Sequence, residues 1–232
     1  MMHGQALTFV DRAILIGRTL ILSDLHLGME ESMRQKGTLV PNHQIDRMLK
    51  DIEALLRSTN PTHVIINGDL KHDFGTISDQ EWREVKKVIR LIKQHAMVVL
   101  IKGNHDKVTE IIAEQTGTPV LDHILLDEHI YICHGDVLQD NEDFKHADTI
   151  IIGHEHPAFA LEEDAKRELY KCFLQTTFQG KKLFVLPSYS ALTTGTDVQE
   201  ATFLSPFLKE IKKAHITVTQ EGELFDFGEI EL

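Results

Sequence analysis

The chain has 232 residues, of which 42% are hydrophobic, so it is long enough for one substantial core and is not typical of a disordered protein. We expect a single domain over residues 1–232. We expect no membrane partner, because no apolar run reaches the roughly 20 residues that span a bilayer. The formal net charge of −12 argues against a nucleic-acid binder that relies on a wholly basic surface.

The first ten residues lack both a basic region and a continuous apolar stretch, which favours a cytoplasmic protein. Three short strands are predicted next, over Leu7–Val10, Ala13–Ile16 and Thr19–Leu22. Asp24 and His26 follow the third strand. Alternation along an extended chain places their side chains on one side, about 7 Å apart, with Leu25 facing away. Two ligands could then converge on one ion.

The segment Gly28–Val40 shows no clean period, and we interpret it as a loop. Its Arg34 and Lys36 could reach an anionic substrate, although a solvated loop explains them equally well. This loop and the polar stretch Ser188–Asp197 are candidate walls of a cleft, and plain connections are the alternative for both.

Helices and strands alternate in the next part of the chain. Helices are predicted from Asn42, from Ser78 with a capping box that ends at Glu81, and over Val108–Gln115. Strands are predicted over Val64–Ile66 and Ala96–Ile101. This alternation indicates a parallel sheet, whose functional residues lie outside the carboxyl ends of the strands.

The second half of the chain is predicted to be mostly β. The expected strands are Val120–Leu125, His129–Cys133, Thr149–Ile152, Glu168–Phe178, Lys182–Leu186, Ile216–Thr219 and Leu224–Phe227. A hairpin is expected around Gln179-Gly180, and a short helix at Pro206 with Ser205 as its cap. Cys133 and Cys172 lie in apolar surroundings without metal-ligand spacing, which predicts two free buried thiols.

Five polar clusters stand at or near predicted strand ends. They are Ser23-Asp24-Leu25-His26, Gly68-Asp69-Leu70-Lys71-His72, Gly103-Asn104-His105-Asp106, His134-Gly135-Asp136 and Gly153-His154-Glu155-His156. Together they supply carboxylate oxygens, an amide oxygen and imidazole nitrogens, a mixture that suits manganese, iron or zinc. The lack of clustered cysteines disfavours a structural thiolate site.

The five clusters, in this order, resemble the metal-binding motifs of the calcineurin-like metallophosphoesterase superfamily, and most closely those of the branch related to the SbcD nuclease. The resemblance implies an α/β fold, a layered α-β-β-α sandwich of two mixed sheets flanked by helices. It also implies two divalent metal ions, with Mn²⁺ favoured over Fe or Zn. The implied ligands are Asp24, His26 and His156 for one ion, Asn104, His134 and His154 for the other, and Asp69 as the bridge.

His105 matches the catalytic histidine of that family, and His72 matches the residue that orients it in SbcD-like enzymes. A purely structural hydrogen-bonding pair is the alternative for these two residues. Asp106 is expected to fix its own loop or to hydrogen-bond to the residues around the metal ligands.

The resemblance implies a dimetal-dependent phosphodiesterase in which a metal-bridging hydroxide attacks phosphorus. A manganese-dependent DNA nuclease is the favoured activity, with single-stranded DNA cut internally because the acidic chain offers no large duplex footprint. Two alternatives stay open. One is a small-molecule phosphodiesterase, nucleotide pyrophosphatase or phosphatase, and the other is an inactive scaffold that binds proteins. The same resemblance leaves a homodimer open.

Overall fold

In the computed structural model, residues 6–38, 44–73, 77–106, 109–163, 166–200 and 202–232 are described. The first half of the chain builds a mixed sheet with the strand order β1-β2-β3-β4-β5-β6. These strands are β1 (Leu7–Val10), β2 (Ala13–Ile16), β3 (Thr19–Leu22), β4 (His63–Asn67), β5 (Met97–Ile101) and β6 (Val120–Leu121). Strands β1 to β3 form an antiparallel meander, and β3 to β6 run parallel.

The described residues form five helices. They are α1 (Met29–Gln35), α2 (Gln44–Thr59), α3 (Asp79–Lys93), α4 (Thr109–Thr116) and α5 (Glu142–His146). Helices α2 and α3 cover the sheet with apolar stripes that include Ile52, Leu56, Val85 and Val88. Each such side chain contributes roughly 1.5–3 kcal/mol when fully buried. None of the described helices is long and apolar enough to cross a membrane.

The second half of the chain builds another mixed sheet, with the strand order β13-β10-β11-β12-β9-β8-β7 and with β14 and β15 attached through β11. Its strands are β7 (His123–Leu126), β8 (Ile130–Cys133), β9 (Thr149–Ile152), β10 (Pro157–Glu163), β11 (Lys166–Phe178), β12 (Lys181–Val185), β13 (Thr196–Asp197), β14 (Lys213–Gln220) and β15 (Glu223–Glu231). Strands β8, β9 and β12 are parallel, and the hairpin around Gln179-Gly180 is confirmed.

The two sheets pack face to face through an isoleucine-rich layer. Ile21 and Ile65 from the first sheet meet Ile132, Ile151 and Phe173 from the second. The outer face of the second sheet is covered by α5 and by turns at residues 204–210, with buried side chains that include Phe144, Phe207 and Leu208. The predicted layered α-β-β-α sandwich of two mixed sheets is therefore confirmed.

The expectation of a loop over Gly28–Val40 is wrong where α1 forms, while Leu39 and Val40 lie outside the described residues. The buried side chains of α1 are polar. Glu30 accepts a hydrogen bond from the backbone N–H of Gln44 at 2.8 Å, and Ser32 donates to an Asp73 carboxylate oxygen at 3.2 Å. A helix anchored by hydrogen bonds shows no apolar period, so pattern reading misses it.

Two further predictions are corrected. The single strand over Val120–Leu125 is divided at Asp122, where the chain leaves β6 in the first sheet and enters β7 in the second. The helix at Pro206 is absent from the described residues, which form turns there. Ser205 instead donates its hydroxyl to the Gly135 carbonyl at 2.7 Å. The predicted starts at Asn42 and Val108 lie outside the described residues, and both cysteines are buried and free, as expected.

Candidate metal centre

The loops that follow β3, β4, β5, β8 and β9 meet between the two sheets. They bring together all seven residues predicted as metal ligands. Asp24 and His26 follow β3, Asp69 follows β4, Asn104 follows β5, His134 follows β8, and His154 and His156 follow β9. Within this cluster, two groups of side chains each place their ligand atoms within 4.8 Å of one another.

The first group consists of Asp24, His26, Asp69 and His156. The Nε2 atom of His156 lies 3.1 Å from Oδ1 of Asp24 and 3.2 Å from Nε2 of His26. The same His26 nitrogen lies 3.9 Å from Oδ2 of Asp69. Two carboxylates and two imidazoles therefore point into one small space.

The second group consists of Asp69, His134 and His154, with Asn104 beside it. The Nε2 atom of His134 lies 3.2 Å from Nδ1 of His154 and 3.0 Å from Oδ1 of Asn104. It also lies 3.5 Å from Oδ2 of Asp69. One oxygen of Asp69 thus borders both groups of ligand atoms.

The chemistry of these donors fits divalent cations. Asp24 and Asp69 are both buried, and their ion-pair partners among the described residues are histidines. Imidazoles in the neutral form that binds metal do not neutralise two buried carboxylates, and a buried charge is costly without compensation. Facing nitrogens such as Nε2 of His26 and of His156 also require a proton or a cation between them. A mixed nitrogen and oxygen set suits manganese, iron or zinc.

The pKa values of the site reflect burial and mutual contact. Burial acts to raise the pKa of Asp24, but His156 and His134 outweigh it and hold that pKa below its usual range. Burial lowers the pKa of His26 to about 3, so its imidazole is neutral near pH 7, as a metal ligand must be. Burial also acts to lower the pKa of His134, but hydrogen bonding to Asp69 dominates and raises it to about 9.

The second ring nitrogens of two candidate ligands are also engaged. Nδ1 of His134 lies 3.3 Å from the backbone carbonyl of Asn67, and because a carbonyl only accepts, this nitrogen carries the proton. Nε2, on the other side of the ring, faces the cluster, and a bound cation would take the place of the proton that it shares with Asp69. Nδ1 of His26 lies 3.5 Å from Nδ1 of His72. Such partners fix the orientation of a metal-binding ring.

Five of the candidate ligands lie on a left-handed backbone. Asp24, His26, Asp69, His154 and His156 have φ angles of 55°, 46°, 44°, 65° and 50°. Non-glycine residues avoid this region, at a cost of roughly 1–2 kcal/mol each, and such strain clusters at functional sites. The extended geometry expected for Asp24 and His26 is therefore wrong, although both side chains reach the cluster while Leu25 between them is buried in the core.

Two glycines permit the close approach of these loops. A Cβ atom on Gly68 would lie 2.0 Å from Nδ1 of His134, and one on Gly103 would lie 2.2 Å from Oδ1 of Asp69. Both distances are far below a normal van der Waals contact, so a larger residue would displace the candidate ligands.

His105 lies at the edge of the cluster. Its backbone N–H donates to Oδ1 of Asp69 at 3.0 Å, and its Nε2 lies 3.7 Å from Oδ2 of the same residue. Its Nδ1 is hydrogen-bonded to the backbone carbonyl of His72, and the two rings stack with centroids 5.8 Å apart. His72 therefore touches His105 through its backbone and its ring face. Ring nitrogens of these two residues and of His26 also lie within 4.8 Å of one another.

Asp106 ties together two loops of the cluster, in the way the sequence predicts. Its Oδ2 accepts the backbone N–H groups of Gly103 at 3.0 Å and Leu70 at 3.3 Å. The side chain is buried, so these bonds stabilise the relative positions of the loops after β5 and β4.

The segment that begins at Ser188 supports the backbone of Asp24, and the sequence does not predict this contact. Ser188 donates its hydroxyl to the Asp24 carbonyl at 2.7 Å, and the N–H of Tyr189 donates to the Ser23 carbonyl at 2.8 Å. Arg12 in turn donates to the Tyr189 carbonyl at 2.8 Å. The polar composition of Ser188–Asp197 suggests a cleft wall, and its Ala191 and Leu192 do line a cleft beside His26, but its first residues are structural.

A family model and a solved structure of similar fold agree with this architecture. A family model described as calcineurin-like phosphoesterase matches residues 17–176. No curated protein matches the chain in sequence. Among solved structures, the nuclease MPE of Pseudomonas putida aligns with a TM-score of 0.68 at 20% identity, over 97% of this chain and 96% of that chain. The E. coli phosphoesterase Yfce aligns with a TM-score of 0.40 at 13% identity, over 92% and 98% respectively.

Proposed function

Because the chain belongs to the calcineurin-like phosphoesterase family and is a metal-dependent hydrolase of phosphate esters, we propose that it is a manganese-dependent DNA nuclease. Single-stranded DNA cut internally is the favoured substrate. One observation carries the proposal of a two-metal centre: Oδ2 of Asp69 lies within 4 Å of a histidine nitrogen from each donor group. A carboxylate in this position is suited to bridge two cations and to reduce their mutual repulsion.

We assign one ion to Asp24, His26 and His156 and the other to Asn104, His134 and His154, with Asp69 shared. When bound, two divalent ions act as Lewis acids on the phosphoryl group and bring the pKa of water toward about 7. Side chains of the protein would then orient the substrate and transfer protons. The ligand atoms of these two groups, together with Oδ1 of Asn104, are the ones that would hold the ions.

His105 is proposed as the residue that faces the phosphoryl group. Its side chain is 14% exposed, whereas that of Asp69 beside it is 3% exposed, so a substrate can reach His105 from solvent. With Nδ1 engaged by a carbonyl, Nε2 is the ring nitrogen that would stabilise a phosphoryl oxygen or donate a proton to the leaving oxygen.

The substrate class is proposed from a protein of similar fold and from the net charge of the chain. The Pseudomonas putida protein of similar fold is described as a nuclease. The net charge of −12 opposes an extensive contact with duplex phosphates, so a flexible single strand that needs few phosphate contacts is favoured.

One substrate panel tests the proposal. Circular single-stranded DNA, linear duplex DNA, a cyclic dinucleotide and bis(p-nitrophenyl) phosphate are each incubated with the purified protein and with Mn²⁺, Fe²⁺, Zn²⁺ or Mg²⁺. We expect the circular single strand to be cut fastest with Mn²⁺. The His105→Ala variant, prepared in parallel, controls for a contaminating nuclease.

Other outcomes of the panel select the alternatives. Turnover of the cyclic dinucleotide without cleavage of DNA would replace the nuclease by a small-molecule phosphodiesterase. Failure to hydrolyse any substrate with any metal would favour an inactive scaffold that binds proteins.

A further inference from the structure

The peptide group between His72 and Asp73 is hydrogen-bonded at both of its ends. Its N–H, which belongs to Asp73, donates to Oε1 of Glu81 at 3.2 Å. Its carbonyl, which belongs to His72, is hydrogen-bonded to Nδ1 of His105. Because a carbonyl can only accept, Nδ1 of His105 is the donor. A single peptide group therefore connects a carboxylate to the imidazole that faces the proposed substrate site.

We propose that Glu81 is a positioning residue for His105 and acts through the His72–Asp73 peptide group. This inference rests on the function proposed above for His105. Glu81 holds the peptide in place, the peptide carbonyl holds the proton on Nδ1, and the ring then presents Nε2 to the phosphate. The arrangement corresponds to a carboxylate–histidine pair in which a backbone amide stands between the two side chains.

Glu81 is well fixed for this purpose. It lies in the first turn of α3, where its own backbone N–H donates to the capping hydroxyl of Ser78 at 3.0 Å. Its side chain is buried, and Oε1 also accepts the N–H of His72 at 3.0 Å. A residue on a capped helix holds its partners more accurately than a residue on a free loop.

A negative charge on Glu81 strengthens the hydrogen bonds that connect it to His105. Hydrogen bonds in a chain polarise one another, so an ionised carboxylate on the N–H makes the carbonyl at the other end a stronger acceptor. Burial raises the pKa of Glu81, while Lys71 and the amides of Asp73 and His72 oppose this change. Among the described residues, Oε2 of Glu81 and Nζ of Lys71 are both buried without a hydrogen-bond partner. The positive charge of Lys71 thus favours the ionised carboxylate.

Glu84 provides a matched control on the same helix. Its side chain is also buried and its Oε2 accepts a backbone N–H, that of Gly28, at 2.9 Å. Its Oε1 accepts from Gln80 at 2.8 Å. Neither of these bonds leads to His105, so Glu84→Gln removes a comparable buried charge without interrupting the connection.

The kinetic test compares two leaving groups. A proton donor matters for the alkoxide released from a thymidine dinucleotide and little for the p-nitrophenolate released from thymidine 5′-p-nitrophenyl phosphate. We expect Glu81→Ala and Glu81→Gln to lower kcat for the dinucleotide by about tenfold or more. The kcat for the aryl ester should fall much less. We expect the same difference between the two substrates in His105→Ala. Glu84→Gln should leave the ratio of the two rates unchanged.

The metal content and the ¹⁵N signals of the histidine rings can be measured independently of turnover. The Glu81 variants should bind as much metal as the parent protein. In the zinc-loaded protein with ¹⁵N-labelled histidine, the His105 signals, recognised by their loss in His105→Ala, should report a proton on Nδ1. In Glu81→Ala they should shift toward a mixture of tautomers.

Three results would overturn the inference. They are an unchanged rate ratio in both Glu81 variants, unchanged His105 signals in Glu81→Ala, and loss of bound metal from Glu81→Gln. A parent protein that hydrolyses neither ester would instead contradict the proposed function. The nitrogen signals would still decide whether Glu81 controls His105.

Discussion

Oδ2 of Asp69 lies 3.5 Å from Nε2 of His134, and this contact joins the two sheets of the molecule. Asp69 follows β4 in the first sheet, and His134 follows β8 in the second. Two cations at this position would connect loops from both sheets and offset the charge of buried carboxylates. The metal centre should therefore contribute to the stability of the whole fold as well as to catalysis.

Removal of metal is expected to destabilise the protein. A ligand that binds only the folded chain stabilises it by about 2.7 kcal/mol when present at a hundred times its Kd. Thermal unfolding with added Mn²⁺ should thus occur at a clearly higher Tm than unfolding in excess chelator. Re-addition of Mn²⁺ should restore the higher Tm. Equal Tm values under the two conditions would contradict a metal centre that joins the sheets.

Asp69→Asn should disturb both metal sites, because one oxygen of Asp69 borders both donor groups. The substitution keeps the shape of the side chain and removes its charge. We expect less than one metal per chain by elemental analysis and a loss of activity of about a hundredfold or more. Asp51→Asn, which removes an ion pair with Arg12 outside the cluster, should keep the metal content of the parent. Full occupancy in Asp69→Asn would contradict the bridging role.

The sequence predicts well those features that depend on apolar patterns and strand ends. The parallel strands of the first sheet, the β-rich second half, the capped start of α3 and the polar clusters at strand ends follow from such patterns. The sandwich of two sheets and the joint ligand set follow from the family resemblance. It predicts poorly what depends on polar contacts between distant segments. Helix α1, anchored through Glu30, and the role of Glu81 depend on hydrogen bonds whose partners are unknown before the chain is folded. The individual metal assignments, the single domain, the homodimer and the cytoplasmic location stay predictions.

His105→Ala should retain both metals and lose most of the diesterase activity. The side chain is not among the proposed ligands, and general acid catalysis contributes roughly 10²–10⁴ in rate. Metal analysis and DNA cleavage, measured on the same preparation, test the two halves of this statement. Unchanged turnover would remove His105 from the mechanism.

Gly68→Ala should cost far more stability than Gly180→Ala. Both glycines have a φ angle of 79°, so both substitutions carry the left-handed penalty of about 1–2 kcal/mol. At Gly180 no atom lies within 4 Å of the added Cβ, whereas at Gly68 it would meet Nδ1 of His134 at 2.0 Å. Overpacking should add about 1–3 kcal/mol and displace His134. Urea unfolding and metal content measure both effects, and equal losses in the two variants would contradict the clash.

Stability should fall as the pH falls from about 6.5 to about 3, in part because of His26. Burial lowers the pKa of His26 to about 3, against 6.5 for the ordinary side chain, with Asp24 and Asp69 opposing the shift and His156 and His105 adding to it. In this window the unfolded chain binds a proton that the folded chain does not, so acid favours unfolding. The free energy of unfolding, measured in chelator against pH, should change less steeply in His26→Asn than in the parent. His146→Asn, at an exposed position, should keep the parent slope. If the free energy of unfolding of His26→Asn changes with pH as steeply as that of the parent, the ring of His26 does not cause this pH dependence.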